Sequence, residues 1–170
     1  VMHSLTKYIG GHGTSIGGIV VDGGNFDWTK NRKRQPLLNE PDQSYGGAVW
    51  IDAVPQLTGA NIPFVIRLRV VLLRDTGAPL APFNAWQIIQ GLETVGLRMK
   101  QHCSNAEKVV TFLETQKKVQ NVIYPTNHQG EIKERALKYM KGGYGSLVGM
   151  DVGTKENGAK FIDNLKMLYH

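Results

Sequence analysis

The feature that most constrains the fold is a long series of apolar residues at helical spacing between Ala85 and Leu113. Apolar residues stand at positions 85, 88, 92, 95, 99, 103, 106, 110 and 113. Uninterrupted steps of three and four residues predict one buried face of an α-helix, and Asn84 is the expected N-cap. A helix of this length spans about 40 Å, because each residue adds about 1.5 Å. That span exceeds one small domain, so we expect the helix to connect two packed units.

Two glycines, Gly91 and Gly96, lie inside this predicted helix. Each one costs about 1 kcal/mol relative to alanine, so their presence indicates a close crossing by a neighbouring segment or a break in the helix. We therefore expect a continuous or once-broken helix between about residues 84 and 117. The residues predicted for its buried side are Trp86, Leu92, Val95, Met99, Cys103, Ala106 and Val110.

The segments before the helix predict strands, a loop region and a shorter helix. Residues 1–22 indicate a strand, a glycine-rich loop and a second strand in "SIGGIVVD", whereas residues 23–63 are punctuated by proline and glycine and are predicted to be mostly loop. "VIRLRVVLLRDTG" predicts a helix that Gly77 ends.

The segments after the helix alternate between strand and helix patterns. "VQNVIYP" and "GSLVGMDVG" predict strands, "GEIKERALKYM" predicts a helix, and "AKFIDNLKMLYH" predicts a helix that is unfinished at His170. This order predicts a small α+β domain that begins near residue 115. Because the chain starts at Val1 without methionine and stops within a helical pattern, we expect it to be a piece of a longer protein.

Composition narrows the classes of function. The net charge is +6, and Lys30, Arg32, Lys33 and Arg34 form a basic cluster, but Trp28 is the one aromatic residue near it, so a solvated loop is favoured over a nucleic-acid surface. The sequence contains no run of eighteen apolar residues, so we expect no membrane-spanning helix. The single cysteine fits a reducing, cytoplasmic setting, and the histidines lack the spacing of metal ligands.

The opening stretch "VMHSLTKYIGGHGTSIGG" carries the candidate chemistry. If "HSLT" is extended, Ser4 and Thr6 share one face and can donate to the same anion, while the Lys7 amine reaches outward. The following glycines leave room for a ligand or for a second backbone. This set suits a phosphate compound with an amine-reactive group, such as pyridoxal phosphate. A surface lysine after an edge strand remains the alternative, and the glycine spacing fits neither a P-loop nor a dinucleotide loop.

The same stretch closely resembles the cofactor-lysine segment of the pyridoxal-phosphate enzymes of cysteine and methionine metabolism. The resemblance continues through "VVDGGNFDW", "PLLNEPDQSY", "IRLRVVLLRDTGAPLAPFNAW", "QGLETVGLRMKQHCSNA" and "KFIDNLK". Within that family, "GGHGT" and "NEPDQSY" favour the O-acetylhomoserine sulfhydrylase branch. The segment "GGAVWIDAV", after Tyr45, departs from the family pattern.

This resemblance implies roles for the opening residues and an architecture for the whole chain. Lys7 matches the lysine that forms a Schiff base with pyridoxal 5'-phosphate, and Ser4 and Thr6 match the residues that contact its phosphate. The implied fold is the α/β, fold-type I, aminotransferase-like architecture. Residues 1–84 would end the large cofactor domain, residues 85–114 would form the connecting helix, and residues 115–170 would begin a small C-terminal α+β domain.

The resemblance also implies a reaction, although alternatives stay open. A sulfhydrylase forms homocysteine or methionine from O-acetyl-L-homoserine and sulfide or methanethiol, and the intact protein would be a homotetramer built from dimers. Cystathionine γ-synthase and γ-lyase are the alternatives within the family, and a non-catalytic truncated fragment is the alternative outside it. The arginines expected to form surface or interface ion pairs, rather than a substrate clamp, are Arg67, Arg69 and Arg74.

Overall fold

The computed structural model describes residues 1–168 and divides the chain into two compact units. The first unit is Val1–Glu93, and the second begins at Thr94. The division falls within the stretch that the sequence predicts to be one connecting helix. The assignment of residues 85–114 as a connector between a large and a small domain stays a prediction.

The first unit opens with a two-stranded antiparallel ribbon. Strand β1, Met2–Ser4, pairs with β2, Gly18–Val20, and Ser4 lies opposite Gly18. A π-type helical turn, Leu5–Ile9, follows β1 directly. The predicted strand–glycine loop–strand order is therefore confirmed, with a helical turn added at its start.

Four short helical segments follow the ribbon in the first unit. They are α1 (Pro36–Asn39), α2 (Trp50–Thr58), α3 (Pro63–Arg67) and α4 (Arg74–Thr76), with a π-type turn at Leu68–Leu73 joining the last two. Single 3₁₀ turns lie at Arg32–Arg34 and Gln43–Tyr45. Gly77 ends the predicted helix in the left-handed conformation, at φ 64°, which confirms that assignment.

Helix α2 shows where the prediction of a loop over residues 23–63 is wrong. Pro55 lies inside this helix and removes a backbone hydrogen-bond donor. Because proline is unfavourable inside a helix, the sequence predicts a loop for this segment. The helix forms nevertheless because Trp50, Ile51 and Val54 are buried and pack with Leu38 as the core of the first unit. Tertiary burial here outweighs the local cost of proline.

The long apolar series forms two helices, α5 (Pro82–Glu93) and α6 (Val95–Glu114), with Thr94 in a non-helical conformation between them. The prediction of a once-broken helix is confirmed. The first helix begins at Pro82, so Asn84 is not its N-cap; the Ala85 amide donates to the Ala81 carbonyl, and proline suits a first helical position.

The predicted buried side of these helices is only partly right. Cys103, Ala106 and Val110 are buried, whereas Val95 and Met99 are half-buried. Leu92 is 50% exposed and Trp86 is 52% exposed, so both predictions are wrong. The buried residues of α5 are Ile88 and Gly91. Adjacent helix positions point about 100° apart, so Leu92 turns away from the side that Gly91 buries.

The second unit packs α6 against a second antiparallel pair of strands. Strands β3 (Asn121–Ile123) and β4 (Gly149–Asp151) pair with each other, and helices α7 (Gly130–Tyr139) and α8 (Lys155–Asp163) follow them in turn. A 3₁₀ turn lies at Pro125–Asn127. The core residues are Ala106, Val110, Val122 and Tyr124. The predicted strand–helix–strand–helix order is confirmed.

The last helix differs from the prediction at both ends. The Thr154 hydroxyl caps its start by accepting from the Asn157 amide, and the helix ends at Asp163 rather than continuing to His170, which lies outside the described residues. Over the described part of the chain, no single helix is long and apolar enough to cross a membrane. Helix α2 and the segment 63–76 reach that length and apolar composition only when they are taken together, and the two are bent by 99° relative to each other.

Candidate functional site

The three residues predicted to bind a cofactor lie at the junction of β1 and the π-type turn. Ser4 ends β1 and is exposed, whereas Thr6 and Lys7 lie within the turn. The extended conformation assumed for "HSLT" is therefore wrong beyond Ser4, because the backbone turns at Leu5. The alternation of strand side chains cannot place the hydroxyls of Ser4 and Thr6 on one face. A role for both at one anion stays a prediction.

Lys7 interrupts the helical turn in which it lies. Its backbone has φ −87° and ψ −121°, which is not helical, and its carbonyl accepts a hydrogen bond of 2.8 Å from the Gly11 amide. The side chain is exposed, and among the described residues its amine has no hydrogen bond or ion pair. The backbone at Lys7 is thus held by the loop while the amine stays available for a ligand.

Thr6 binds the far side of the glycine loop. Its Oγ1 accepts a hydrogen bond of 3.0 Å from the Gly17 amide and donates one of 3.3 Å to the Gly17 carbonyl. The longer bond is the weaker one, so the hydroxyl hydrogen can turn to another acceptor while the oxygen stays bonded to the amide. Thr6 can therefore close the loop and donate a hydrogen bond to an anion at the same time.

The glycine loop lies on helix α5 at very short range. A Cβ atom at Gly91 would lie 1.9 Å from the carbonyl oxygen of Gly10, and one at Gly17 would lie 2.7 Å from Cδ1 of Ile88. Only glycine permits the contact at position 91, because the neighbouring atoms belong to the backbone of Gly10, whereas the end of the Ile88 side chain can shift. Of the two uses predicted for the glycines, room for a second backbone is confirmed by Gly10 and Gly91.

A hydrogen bond also joins the loop to α5. Ser15, only 8% exposed, donates from Oγ to Oε1 of Gln87 across 2.5 Å. Neither residue stands out in the sequence: Ser15 lies among glycines, and Gln87 lies between the apolar positions 85 and 88. Their pairing depends on how the loop folds back, so no local signal could have identified it.

The donor set suits the chemistry of a phosphorylated aldehyde. Ser4 and Lys7 are exposed and have no side-chain partner among the described residues, and Thr6 can turn one hydrogen outward. Two neutral hydroxyl donors match phosphate oxygens, and a primary amine matches an aldehyde carbon. The residues present therefore fit pyridoxal 5'-phosphate.

The predicted arginines divide into two cases. Arg67 Nε lies 3.8 Å from Asp42 Oδ2, and Arg74 pairs with Asp75 at 3.0 Å, which confirms the expected ion pairs. The pKa of Arg74 is raised, chiefly by the hydrogen bond to Asp75. Arg69 is exposed and takes part in no ion pair within the described residues.

Other candidate sites find no support in the part of the chain that the structure describes. It contains no cluster of three or more histidine, cysteine, aspartate or glutamate side chains suited to a metal ion. Cys103 is buried, as predicted, and lies close to Gly143. The basic residues at 30–34 are exposed, as expected for a solvated loop.

The fold matches that of a known cofactor-binding enzyme. A crystal structure from Campylobacter jejuni, named as an O-acetylhomoserine (thiol)-lyase with N'-pyridoxyl-lysine-5'-monophosphate, aligns with a TM-score of 0.76 at 35% identity. The match covers 99% of this chain and 41% of that one. The architecture is accordingly part of the fold-type I class of pyridoxal-phosphate enzymes.

The family assignment follows from the whole length of the chain. Residues 1–170 match the model of the Cys/Met metabolism PLP-dependent enzymes, and the chain belongs to that family. It is 44% identical over 172 aligned positions to the O-acetyl-L-homoserine sulfhydrylase of Leptospira meyeri, covering 98% of this chain and 38% of that protein. It is 41% identical over 168 positions to the homocysteine synthase of Schizosaccharomyces pombe, with coverages of 98% and 38%. The chain thus spans less than half the length of these relatives.

Proposed function

We propose that this chain is the lysine-bearing part of an O-acetylhomoserine sulfhydrylase that forms homocysteine or methionine from O-acetyl-L-homoserine and sulfide or methanethiol. The observation that carries the proposal is the available amine of Lys7, in a segment that Thr6 ties to Gly17 and that Gly10 and Ser15 hold on α5. The sulfhydrylase and homocysteine synthase names of the relatives support the choice of reaction.

Pyridoxal 5'-phosphate, when bound, supplies the electron sink that stabilises negative charge next to the substrate's amino group. Lys7 Nζ would hold the aldehyde carbon of the bound cofactor. The Lys7 amine would also take and return protons at Cα and Cβ of the substrate, so that acetate could leave from Cγ and the sulfur nucleophile could add there. One side chain thus anchors the cofactor and transfers protons.

Ser4 and Thr6 hold the phosphate in this proposal. Each donates a hydroxyl hydrogen to a phosphate oxygen, Ser4 from the end of β1 and Thr6 after turning its hydrogen from the Gly17 carbonyl. Because the Gly17 amide still fixes the Thr6 oxygen, the donor stays oriented. Fixed donors lose little freedom when the ligand binds, which favours a defined position of the aldehyde near Lys7.

The proposal extends to the longer protein. The relatives are more than twice as long as this chain, so the 170 residues alone are expected to lack part of the site and to turn over no substrate. The full-length protein is proposed to be a cytoplasmic homotetramer built from dimers, acting on small molecules and not on nucleic acid or membranes.

The test measures acetate released from O-acetyl-L-homoserine with sulfide and added cofactor. Full-length protein containing this chain is compared with its Lys7→Ala form and with the 170 residues alone. We expect homocysteine from the full-length protein and a loss of several orders of magnitude in the alanine variant, since anchoring and proton transfer disappear together. Cystathionine from cysteine, with no reaction from sulfide, would instead indicate a cystathionine γ-synthase. Unchanged turnover by Lys7→Ala would refute the role of Lys7.

A further inference from the structure

Helix α5 presents three residues to the glycine loop, Gln87, Ile88 and Gly91, which we call the α5 docking face. Gly91 admits the Gly10 carbonyl, Ile88 contacts Gly17, and Gln87 binds Ser15. The first contact depends on the absence of a side chain at Gly91, on the helix, and the second is close because Gly17, on the loop, has none. The third contact is a directed hydrogen bond, so it can fix the position of the loop along the helix.

The bond between Ser15 and Gln87 has a defined direction. The Ser15 hydroxyl donates to Oε1 of Gln87, and Ser15 is buried. Without an acceptor at position 87, a buried hydroxyl loses its partner, which costs more than a normal hydrogen bond contributes. A carboxylate at position 87 can accept the same hydrogen, whereas a thioether of similar length is a poor acceptor.

Three hydrogen bonds, two between backbone groups and one to the Thr6 side chain, link this contact to Lys7. Ser15 is two residues from Gly17, whose carbonyl accepts from the Leu5 amide at 2.9 Å and whose amide donates to Thr6 Oγ1 at 3.0 Å. Leu5 in turn accepts at its carbonyl from the Gly10 amide at 2.8 Å. The residues before and after Lys7 are therefore tied to the same loop that Gln87 holds.

We infer that Gln87 is a positioning residue, which sets the placement of the Lys7 amine by holding Ser15, and through it the glycine loop, on α5. The inference rests on the proposed function for its link to cofactor binding, although the docking itself does not depend on it. Gln87 acts through Ser15 and Gly17 and does not touch the cofactor.

The test compares five variants of the full-length protein: Gln87→Met, Gln87→Glu, Ser15→Ala, Ser15→Ala combined with Gln87→Met and, as control, Gln90→Met. Gln90 is an exposed glutamine of the same helix, so its replacement makes the same chemical change away from the docking face. Amide hydrogen exchange at Gly10 and Gly17 reports loop docking without cofactor. Absorbance of the covalently bound cofactor, titrated with cofactor and with pH, reports the placement of Lys7.

We expect Gln87→Met to speed exchange at both amides and to weaken cofactor binding, each by about tenfold, the effect of one lost hydrogen bond that leaves a buried hydroxyl unpaired. The pH midpoint of the absorbance should shift as well, which a simple loss of stability would not cause. Gln87→Glu should restore most of the wild-type values, and Gln90→Met should match wild type. Ser15→Ala combined with Gln87→Met should lose no more than Gln87→Met alone.

The outcomes separate this inference from the proposed function. Exchange rates and pH midpoint in Gln87→Met equal to those in wild type would overturn the inference, even if cofactor binds at Lys7. Equal losses in Gln87→Met and Gln90→Met would overturn it too. If the wild-type protein binds no cofactor at Lys7, the proposed function fails, and faster exchange in Gln87→Met, restored by Gln87→Glu, would still establish the docking role.

Discussion

Replacing Gly91 with alanine is expected to push the glycine loop off α5. The added Cβ would lie 1.9 Å from the carbonyl oxygen of Gly10, 2.6 Å from its carbonyl carbon and 2.9 Å from its Cα. All three atoms belong to the backbone, so no side-chain rotation can relieve the contact. Real Cβ atoms essentially never approach a heavy atom within 3.0 Å, so the loop has to move by about 1 Å.

The free-energy change combines two opposing effects. Alanine inside a helix is more favourable than glycine by about 1 kcal/mol. Overpacking of a close contact costs typically about 1–3 kcal/mol, and a backbone against backbone contact belongs at the upper end of that range or above it. We therefore expect Gly91→Ala to lower the free energy of unfolding by about 2 kcal/mol, taking the larger cost less the helix gain.

Gly96→Ala is the matched control, because Gly96 lies in α6 with nothing within 4 Å of its added Cβ. It should raise the free energy of unfolding by up to about 1 kcal/mol. Urea unfolding of the full-length protein, followed by far-ultraviolet circular dichroism, measures both variants. If Gly91→Ala stabilises the protein as much as Gly96→Ala does, the docking of the loop on α5 is refuted.

Further predictions concern single side chains. Thr6→Val should speed amide exchange at Gly17 by about tenfold while Thr6→Ser retains protection, because only the hydroxyl accepts from that amide; equal rates would contradict this. Burial raises the pKa of Tyr124 in the folded protein above its pKa in the unfolded chain. The stabilising contribution of the neutral Tyr124 side chain is therefore complete at pH values below the unfolded-state pKa, and it is lost as the pH rises through the folded-state pKa. Tyr124→Phe should lose about 1 kcal/mol near neutral pH, from the bond to the Gly145 carbonyl, and show less alkaline destabilisation in urea titrations. Lys7→Arg should be nearly as inactive as Lys7→Ala in the acetate-release assay, because guanidinium neither binds the aldehyde nor deprotonates.

The sequence predicts most elements of this fold because their patterns are local. The three-four series between Ala85 and Leu113 predicts both α5 and α6, and Gly91 correctly indicates the close crossing. Helix α2 could not be predicted in the same way, because it depends on burial of Trp50 against residues distant in sequence, which outweighs Pro55. Proline and glycine residues in the sequence indicate where turns are favoured, but they do not indicate which segments are buried in the folded protein.

The site shows the same division. Lys7 and its neighbouring hydroxyls are predicted as site residues from residue type and from resemblance to the family, and the match over residues 1–170 shows the family itself. The conformation at Thr6 was predicted wrongly, because a turn stabilised by the bond from the Gly10 amide to the Leu5 carbonyl replaces the extended strand. The partnership of Ser15 with Gln87 spans 72 residues, a distance that no pattern within the loop can encode.

The role of Lys7 is tested by locating the residue that binds pyridoxal phosphate. The full-length protein is incubated with the cofactor and reduced with borohydride, which makes the lysine linkage permanent, and its peptides are identified by mass spectrometry. We expect the pyridoxyl group on Lys7, in the peptide that contains "HSLTKYIGG", and its absence from the Lys7→Ala variant. Specific modification of another lysine, with Lys7 unmodified, would show that Lys7 does not bind the cofactor.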